Sequence, residues 1–306
     1  MALHSIPITY EILVSTIEMR LSRSRWLLLT TLFIASQSFG SQAWCKTPIL
    51  RPGEELLILD APSVDCNSGN ISADLQLPRN FRSSEDPFPR SSRRFGTKGS
   101  IPNLGGLDTL NASGSAQFSK PQLVKIFNRL AGKNILFIDL RQEPHGFINE
   151  GAISWYGENN AINSTRPRGE IEKDEQTRLQ NLLAQESVRL KSFLFTSTTG
   201  KCPTGKPTEV AVQPKIVHRE EAQLQQLQLT GTYLRIPTPD YQRPSDAEVD
   251  RFLSQVKALD PKTWIHFHCA AGRGRTTTFL ALYDMFKNYS KISFSEIIER
   301  QKLLGG

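Results

Sequence analysis

The run from Trp264 to Thr276 restricts the possible folds of this chain more than any other part of the sequence. An apolar, strand-like stretch ends at Cys269, a glycine-bearing loop follows, and a helical pattern begins at Thr276. A thiol attacks as its thiolate, which the positive end of a helix and aligned backbone N–H groups favour. Five residues separate Cys269 from Arg275, enough to curl the backbone around a tetrahedral anion while the guanidinium closes the ring. The run therefore predicts a strand–loop–helix unit that binds an anion above a nucleophile.

The residues between Cys269 and Arg275 are expected to bind the phosphate group through their backbone N–H groups. Gly272 and Gly274 tolerate backbone angles that other residues resist, so we expect both to let the amides point inward. The residues predicted to hold a phosphate group are Ala270, Ala271, Gly272, Arg273, Gly274 and Thr276. The alternative is a buried structural cysteine beside a basic turn. The strand, the glycines, Arg275 and the helix together favour catalysis over that alternative.

Cleavage of a phosphate ester also requires a proton donor for the leaving oxygen. The strand-like run 232–236 is followed by a proline-rich loop that presents Asp240. An acid there would protonate the leaving group and then, as a carboxylate, activate the water that hydrolyses a phosphocysteine. The alternative is an ordinary turn aspartate, since Asp beside Pro is common in loops. Asp240 is therefore the candidate acid.

Helical and strand-like patterns alternate from residue 119 onward. Helices are predicted over 119–130, 174–191, 220–229, 245–259 and 276–286, and strands over 134–140, 193–196, 209–217, 232–236 and 264–268. Strands interleaved with helices predict an α/β fold in which helices flank a central sheet. Residues 44–118 are rich in Ser, Pro, Gly and Asn and predict a loop-rich segment packed on a catalytic domain of residues 119–306.

Polar residues crowd the end of the predicted strand 134–140. They are Asp139, Arg141, Glu143 and His145. Sheets of α/β proteins place ligand groups at such strand ends, yet these residues could equally cap helices or pair with one another. On the residues alone, the two interpretations have equal weight.

The N-terminus has the pattern of a secretory signal. Arg20, Arg23 and Arg25 precede an apolar run over 26–35 that is too short to span a bilayer, and small residues follow up to Ala43. We expect residues 1–43 to be a signal peptide. We interpret its first 18 residues as the result of a start codon assigned upstream of the true one, at Met19. The mature protein would then be periplasmic or secreted, with no stable membrane span. A buried N-terminal helix is the alternative.

The net charge limits the classes of ligand that the protein can bind, and the compartment determines how its cysteines can pair. The net charge of +7 at pH 7 fits anionic substrates, nucleic acid or a membrane surface. Weak aromatic interleaving and the lack of a nucleic-acid-binding motif argue against nucleic acid. Export would place Cys45, Cys66 and Cys202 in an oxidising compartment, where their pairing stays open, whereas a nucleophilic Cys269 has to stay unpaired.

Several segments, taken in order, resemble one enzyme family. They are Leu77–Arg82, Ser113–Ser119, Asp139–Gly146, Tyr233–Asp240 and the loop after Cys269 with its Thr276-Thr277 doublet. Together they resemble the bacterial cysteine phytases, protein-tyrosine-phosphatase-like enzymes that hydrolyse inositol polyphosphates. The resemblance implies a tyrosine-phosphatase-like fold with Cys269 as nucleophile, Arg275 as phosphate clamp and Asp240 as acid, and it implies no cofactor or metal. The implied substrate-pocket residues are Arg82, Arg141, Glu143, His145, Tyr241 and His268.

Two departures from the family's pattern stand out, and a further cation in the loop bears on the substrate. Tyr241 stands where the family commonly has His, which removes a cationic contact to a neighbouring phosphate. Arg273 adds a cation to the loop and suits a substrate with several phosphates. The sequence ends at Gly306, earlier than the resemblance implies, so we expect the last helices to be short.

Three functional hypotheses follow. The first is hydrolysis of inositol polyphosphates or phosphoinositides through a phosphocysteine intermediate. The second is dephosphorylation of phosphoproteins at tyrosine or at serine and threonine. The third is an inactive phosphoinositide-binding module, against which the retention of Cys269, Arg275 and Asp240 argues.

Overall fold

The computed structural model describes residues 50–51, 53–61, 76–87, 101–192, 208–227 and 231–305, all of which belong to one compact unit, Ala43–Gly306. The predicted signal peptide, the predicted strand 193–196 and three of the cysteines (Cys45, Cys66 and Cys202) lie outside the described residues. Within the described ranges, no helix is both long enough and apolar enough to cross a membrane.

The described residues form eleven strands and six α-helices. The strands are β1 (Leu56–Ala61), β2 (Arg82–Ser83), β3 (Ala112–Ala116), β4 (Ile135–Arg141), β5 (His145–Ile148), β6 (Gly151–Tyr156), β7 (Val188–Ser192), β8 (Thr208–Val212), β9 (Val217–His218), β10 (Gly231–Thr238) and β11 (Trp264–Cys269). The helices are α1 (Lys120–Arg129), α2 (Arg168–Leu183), α3 (Glu220–Gln226), α4 (Asp246–Ala258), α5 (Gly274–Asn288) and α6 (Phe294–Leu303). The predicted alternation of strands and helices is therefore confirmed.

A five-stranded sheet carries the site, in the order β10-β4-β11-β3-β2. Its first four strands run parallel to one another, and β2 pairs antiparallel with β3. Every residue of β4 and of β11 is buried, as expected of strands covered on both faces. Because the carboxyl ends of parallel strands meet at one edge, the segments that follow β3, β4, β10 and β11 converge there.

A second, six-stranded sheet has the order β8-β7-β1-β6-β5-β9 and is antiparallel except between β1 and β7. Its own apolar cluster includes Ile153 of β6, Leu179 of α2 and Leu190 of β7. The turn that follows β6 leads back toward the edge of the first sheet where the acid loop lies.

The prediction of a helix over 174–191 is wrong at both ends. Helix α2 begins earlier, at Arg168, and ends at Leu183, and residues 188–192 form strand β7. Val188 and Leu190 are buried while Arg189 between them is exposed, which is the period of a half-buried strand. Pairing with β8 on one side and β1 on the other decided the outcome.

Residues 44–118, predicted to be rich in loops, contribute three strands to the two sheets. The sequence of β3, ASGSA, has low strand propensity, yet all five residues are buried between β11 and β2. A Cβ on Gly114 would stand 2.6 Å from Thr276 Cγ2 and 3.0 Å from Leu280 Cδ1. Small residues in β3 therefore let α5 pack directly onto this strand.

Candidate active site

Strand β11 ends at Cys269, and α5 begins five residues later at Gly274. Cys269 is 3% exposed and forms no disulfide with any residue that the structure describes. Thr276, in the first turn of α5, donates a hydrogen bond from Oγ1 to Cys269 Sγ at 3.1 Å. The sulfur therefore lies at the positive end of α5, with a hydroxyl donor directed at it.

Only one of the two loop glycines is needed for its backbone angles. Gly272 has φ +68, and a Cβ there would collide with the backbone of Ser115 and Ala116 in β3. Gly274 is the first residue of α5, has no positive φ, and a Cβ on it would meet nothing within 4 Å. The tight turn and the close approach to β3 therefore both occur at Gly272, and the expectation for Gly274 was wrong.

Side chains from the segment before β3 hold the loop carbonyls. Arg82 donates from Nη1 to the carbonyl of Gly272 at 2.6 Å and from Nη2 to Thr277 Oγ1 at 2.8 Å. Asn80 donates to the carbonyl of Ala271 at 2.8 Å. The C=O and N–H of a peptide unit point in opposite directions, so these donors turn the carbonyls away and leave the N–H groups to the concave side. A direct contact of Arg82 with substrate stays a prediction.

The clamp residue Arg275 is buried among acceptors. It donates to both carboxylate oxygens of Glu143, to the carbonyl of Thr238 at 3.1 Å, and lies 3.2 Å from Asp240 Oδ2. Burial alone lowers the pKa of Arg275, but the carboxylates of Asp240 and Glu143 raise it, and the net pKa lies well above its ordinary value. Its Nε is buried and has no hydrogen-bond partner among the described residues. One donor of this guanidinium is thus unused within the described residues.

Three residues assigned to the pocket by resemblance, Arg141, Glu143 and His145, lie in a buried charged cluster behind the loop, and each is at most 1% exposed. Arg141 contacts Glu143, Asp60 and Gln117 through its guanidinium. Burial raises the pKa of Glu143, but the positive charges of Arg275 and Arg141 outweigh it and hold the pKa well below its ordinary value. All three side chains have protein partners, and contact with substrate stays a prediction for each.

His145 connects this cluster to the strand ends of β4 and β10. Its Nε2 lies 3.1 Å from Asp139 Oδ2, and its Nδ1 lies 3.3 Å from Glu175 Oε2. Burial lowers the pKa of His145, whereas the negative charges of Asp139 and Glu175 raise it, with a net shift upward. Arg235 of β10 pairs with the same two carboxylates. The polar crowding after the strand 134–140 thus corresponds to mutual pairing.

His268, the residue before the nucleophile, is fully buried. Its Nε2 lies 2.7 Å from Glu220 Oε1 of α3, a close approach without the alignment of a hydrogen bond. Its ring also packs edge-on against Phe118 at 5.0 Å between centroids. Any contact between His268 and substrate stays a prediction.

The candidate acid, Asp240, follows β10 and lies beside Arg275. The Asp240 side chain is 26% exposed, and its Oδ2 accepts a hydrogen bond from Asn160 Nδ2 at 2.8 Å. Tyr241 has φ +56, is 42% exposed, and donates its backbone N–H to Asp240 Oδ1 at 3.2 Å. Burial and the charge of Asp240 raise the pKa of the Tyr241 hydroxyl to about 12. Asp240 and Arg275 are therefore brought together at one site.

Arg79 and Asn160 were not among the site residues predicted from the sequence, and neither was Asn80. Arg79 interacts electrostatically with Cys269 and Arg273; burial chiefly lowers its pKa, Asp60 and Cys269 raise it, and Arg273 lowers it. Asn160 contacts the candidate acid. The segment Leu77–Arg82 did carry a signal for Arg79, but Asn160 lies in an asparagine-rich turn that reads as an ordinary loop.

Metal ligation has no candidate in the part of the chain that the structure describes, since no three His, Cys, Asp or Glu side chains are arranged to hold an ion.

Arg273, the remaining loop cation, is exposed and directly precedes α5. The arrangement can therefore place a thiol, a guanidinium, backbone N–H groups and a carboxyl group around one anionic ligand.

A protein-family model matches about half of this chain. The model for PTP-like phytases, described as "Inositol hexakisphosphate", matches residues 138–287. That range contains the segment after β4, the acid loop and the phosphate loop.

Similar folds occur in solved structures. The PTP-like myo-inositol phosphatase from Mitsuokella multacida, in complex with myo-inositol-(1,3,4,5)-tetrakisphosphate, has a TM-score of 0.71 and 31% identity over 84% of this chain and 40% of that one. A PTP-like phytase from Bdellovibrio bacteriovorus has a TM-score of 0.56 and 29% identity over 84% of this chain and 78% of that one. The tyrosine-phosphatase-like α/β fold is thereby confirmed.

A curated relative is the effector protein hopD2 of Pseudomonas syringae pv. tomato. It is 28% identical over 202 residues, which make up 65% of this chain and 42% of that protein. The chain thus spans about 40% of the length of this relative and of the Mitsuokella protein.

Proposed function

This chain belongs to the family of PTP-like phytases, and we propose on that premise that it hydrolyses phosphate monoesters of inositol polyphosphates or phosphoinositides through a phosphocysteine intermediate. The observation that carries the proposal is the hydrogen bond from Thr276 Oγ1 to Cys269 Sγ in the first turn of α5, directly after a buried Arg275 whose Nε has no hydrogen-bond partner among the described residues. A tetrahedral dianion fits this arrangement because it accepts from the loop N–H groups and from the guanidinium at once.

The reaction has two steps. In the first, the thiolate of Cys269 attacks phosphorus; the S–P bond forms, the bond from phosphorus to the ester oxygen breaks, and Asp240 gives its proton to that oxygen. In the second, the carboxylate of Asp240 takes a proton from water as the water oxygen bonds to phosphorus. The S–P bond then breaks, which restores the thiolate and releases inorganic phosphate. Arg275 and the loop N–H groups stabilise the charge on the phosphoryl oxygens throughout.

Cations around the loop support a substrate with more than one phosphate. Arg79 lies in the electrostatic environment of the nucleophile in addition to Arg275, and Arg273 lies in that of Arg79. Guanidinium groups bind phosphate through paired hydrogen bonds, so each added cation suits a further phosphate group. A relative whose structure holds an inositol tetrakisphosphate supports the same substrate class.

A substrate panel tests the proposal. Wild-type protein and the Cys269→Ser variant would be incubated with inositol phosphates of different phosphate number, a soluble phosphoinositide and phosphotyrosine peptides, and released phosphate would be measured. We expect turnover of inositol phosphates by the wild type, and substrate binding without turnover by Cys269→Ser. Equal turnover by both proteins would remove the cysteine from the mechanism.

One observation favours a second candidate, dephosphorylation of phosphotyrosine. Tyr241 is 42% exposed directly beside the acid and offers an aromatic surface where an aryl ester could stack. Turnover of the phosphotyrosine peptide together with no release from any inositol phosphate would favour this candidate over the first.

Export from a bacterial cell is a further part of the proposal. It rests on the basic cluster Arg20, Arg23 and Arg25 before the apolar run 26–35, a pattern typical of secretory signals. N-terminal sequencing of protein recovered outside the cytoplasm would test it. A start at residue 44 supports export, and an intact N-terminus on cytoplasmic protein contradicts it.

A further inference from the structure

Asn160 lies in the short 3₁₀ turn Glu158–Asn160 that follows β6, and it is 4% exposed. Its Nδ2 donates to Asp240 Oδ2 at 2.8 Å. The two residues are 80 positions apart and follow strands of different sheets, β6 and β10. The bond therefore anchors the acid loop to the turn after β6, a strand of the sheet that does not carry the phosphate loop.

The backbone at this position restricts which residues can occupy it. Asn160 has φ +53, and the preceding Asn159 has φ +52. Both are in the left-handed region, which Gly, Asn and Asp tolerate and most other residues do not. The backbone of the turn thus fixes the position from which the Asn160 side chain reaches Asp240.

The orientation of the amide follows from its neighbours. If Oδ1 rather than Nδ2 faced Asp240, an acceptor would meet a carboxylate oxygen, so the donor has to face the acid. Oδ1 is buried and has no hydrogen-bond partner in the described ranges. An unsatisfied buried acceptor costs about 1–3 kcal/mol, so a purely structural amide would be expected to satisfy both of its ends. This side chain instead makes its hydrogen bond to Asp240.

We infer that Asn160 is a positioning residue for the general acid, an inference that rests on the proposed phosphatase function. Asp240 Oδ2 accepts from Asn160 Nδ2 and lies 3.2 Å from Arg275 Nη2, whereas Oδ1 accepts from the Tyr241 backbone N–H at 3.2 Å. With two donors at Oδ2 and one at Oδ1, Oδ1 is the oxygen that carries the transferable proton. During the first step the O–H bond at Oδ1 breaks, and its proton moves to the ester oxygen as that oxygen leaves phosphorus. The side-chain hydrogen bond of Asn160 goes to Asp240, through which the residue acts.

The test compares Asn160→Gly with Asn159→Gly. Both substitutions suit a left-handed backbone, but only the first removes a bond to the acid, since Asn159 is exposed at the surface of the same turn. The rate of the first step would be measured before the steady state with an alkyl phosphate, whose leaving group needs protonation, and with p-nitrophenyl phosphate, whose leaving group does not. Loss of a hydrogen bond to a charged group predicts a roughly 10- to 100-fold loss of that rate with the alkyl ester for Asn160→Gly. We expect little change with p-nitrophenyl phosphate, and none with either ester for Asn159→Gly.

A double variant makes the inference specific. In the Asp240→Asn background, Asn160→Gly should cause no further loss, because its effect passes through the acid. Equal slowing of both esters, or a full additional loss in the double variant, would overturn the inference while leaving the proposed phosphatase function intact. Absence of turnover of both esters by the wild type would overturn both. Should Asn160→Gly not fold, Asn160→Asp keeps the backbone preference and replaces the donor with an acceptor, and the same selective loss is expected.

Discussion

Glu143 and Arg275 form a bidentate ion pair, with Nη1 2.7 Å from Oε2 and Nη2 3.0 Å from Oε1, and both side chains are buried. Arg141 donates to Glu143 as well, at 2.8 Å from Nε to Oε1. This pair fixes the plane of the Arg275 guanidinium while Nε stays without a partner among the described residues. A clamp held in this way is already oriented before the anion arrives, which lowers the cost of reorganisation during the reaction.

The Glu143→Gln variant should be markedly less stable than the wild type. Removing one partner of a buried ion pair leaves an uncompensated charge and typically costs about 3–5 kcal/mol of unfolding free energy. Urea denaturation would measure the loss of unfolding free energy. The matched control is Glu85→Gln at the exposed Lys133–Glu85 pair, for which we expect a loss below about 1 kcal/mol. Similar losses for both variants would show that the buried pair is not special.

The stability difference between the wild type and Glu143→Gln should depend on pH. The pKa of Glu143 in the folded protein lies well below its ordinary value of 4.5, because Arg275 and Arg141 lower it more than burial raises it. A carboxyl group with a depressed folded pKa contributes stability that is fully present above its unfolded pKa and is lost as the pH falls toward the folded pKa. The difference should therefore be constant above pH 4.5 and shrink below it. Denaturation at several pH values would check this, and a difference that grows on acidification would contradict it.

The Asp240→Asn variant should discriminate between leaving groups. General acid catalysis contributes about 10²–10⁴-fold, and an amide cannot donate a carboxyl proton. We expect a loss of that order with an alkyl phosphate and a much smaller loss of the phosphorylation rate with p-nitrophenyl phosphate. Pre-steady-state release of nitrophenol separates that step from hydrolysis of the intermediate, which the carboxylate also assists. Equal slowing of the first step with both esters would remove Asp240 from the role of acid.

The two loop glycines should respond differently to alanine. At Gly272 the positive φ and the backbone of β3 leave no room for a Cβ, so Gly272→Ala should distort the loop and abolish activity. Gly274→Ala adds a methyl group in open space at the start of α5 and keeps its backbone N–H. We expect near-normal kcat and unchanged or slightly higher thermal stability for this variant. Activity retained by Gly272→Ala would show that the loop curl does not depend on that position.

Arg82→Ala separates a loop brace from a substrate contact. Its hydrogen bonds to Gly272 and Thr277 imply that its loss lowers both stability and activity toward every phosphate ester. A hydrogen bond from a charged donor is worth about 1.5–3 kcal/mol, which thermal unfolding can detect. A selective rise of KM for inositol polyphosphates, with unchanged stability and unchanged p-nitrophenyl phosphate turnover, would instead indicate a pocket residue.

The sequence was informative where the chemistry is local. The strand, the glycine loop and the helix around Cys269 are contiguous, so their order and the position of Arg275 could be predicted from periodicity and spacing. The α/β fold followed from the same alternation of patterns. The strand β3 could not be predicted, because its small residues are buried by neighbours that lie far away in the sequence.

Local backbone preferences, which depend on a few consecutive residues, thus determined the phosphate loop and the strand that delivers the candidate acid. Contacts between distant residues decided the rest. Arg82 meets Gly272 across 190 positions, Arg275 meets Glu143 across 132, and Asp240 meets Asn160 across 80. Such partners depend on strand register and sheet packing, and a single sequence carries no periodic signal for either. Only the tertiary structure therefore shows that Glu143 pairs with Arg275, that Arg82 braces the loop, and that Asn160 holds Asp240.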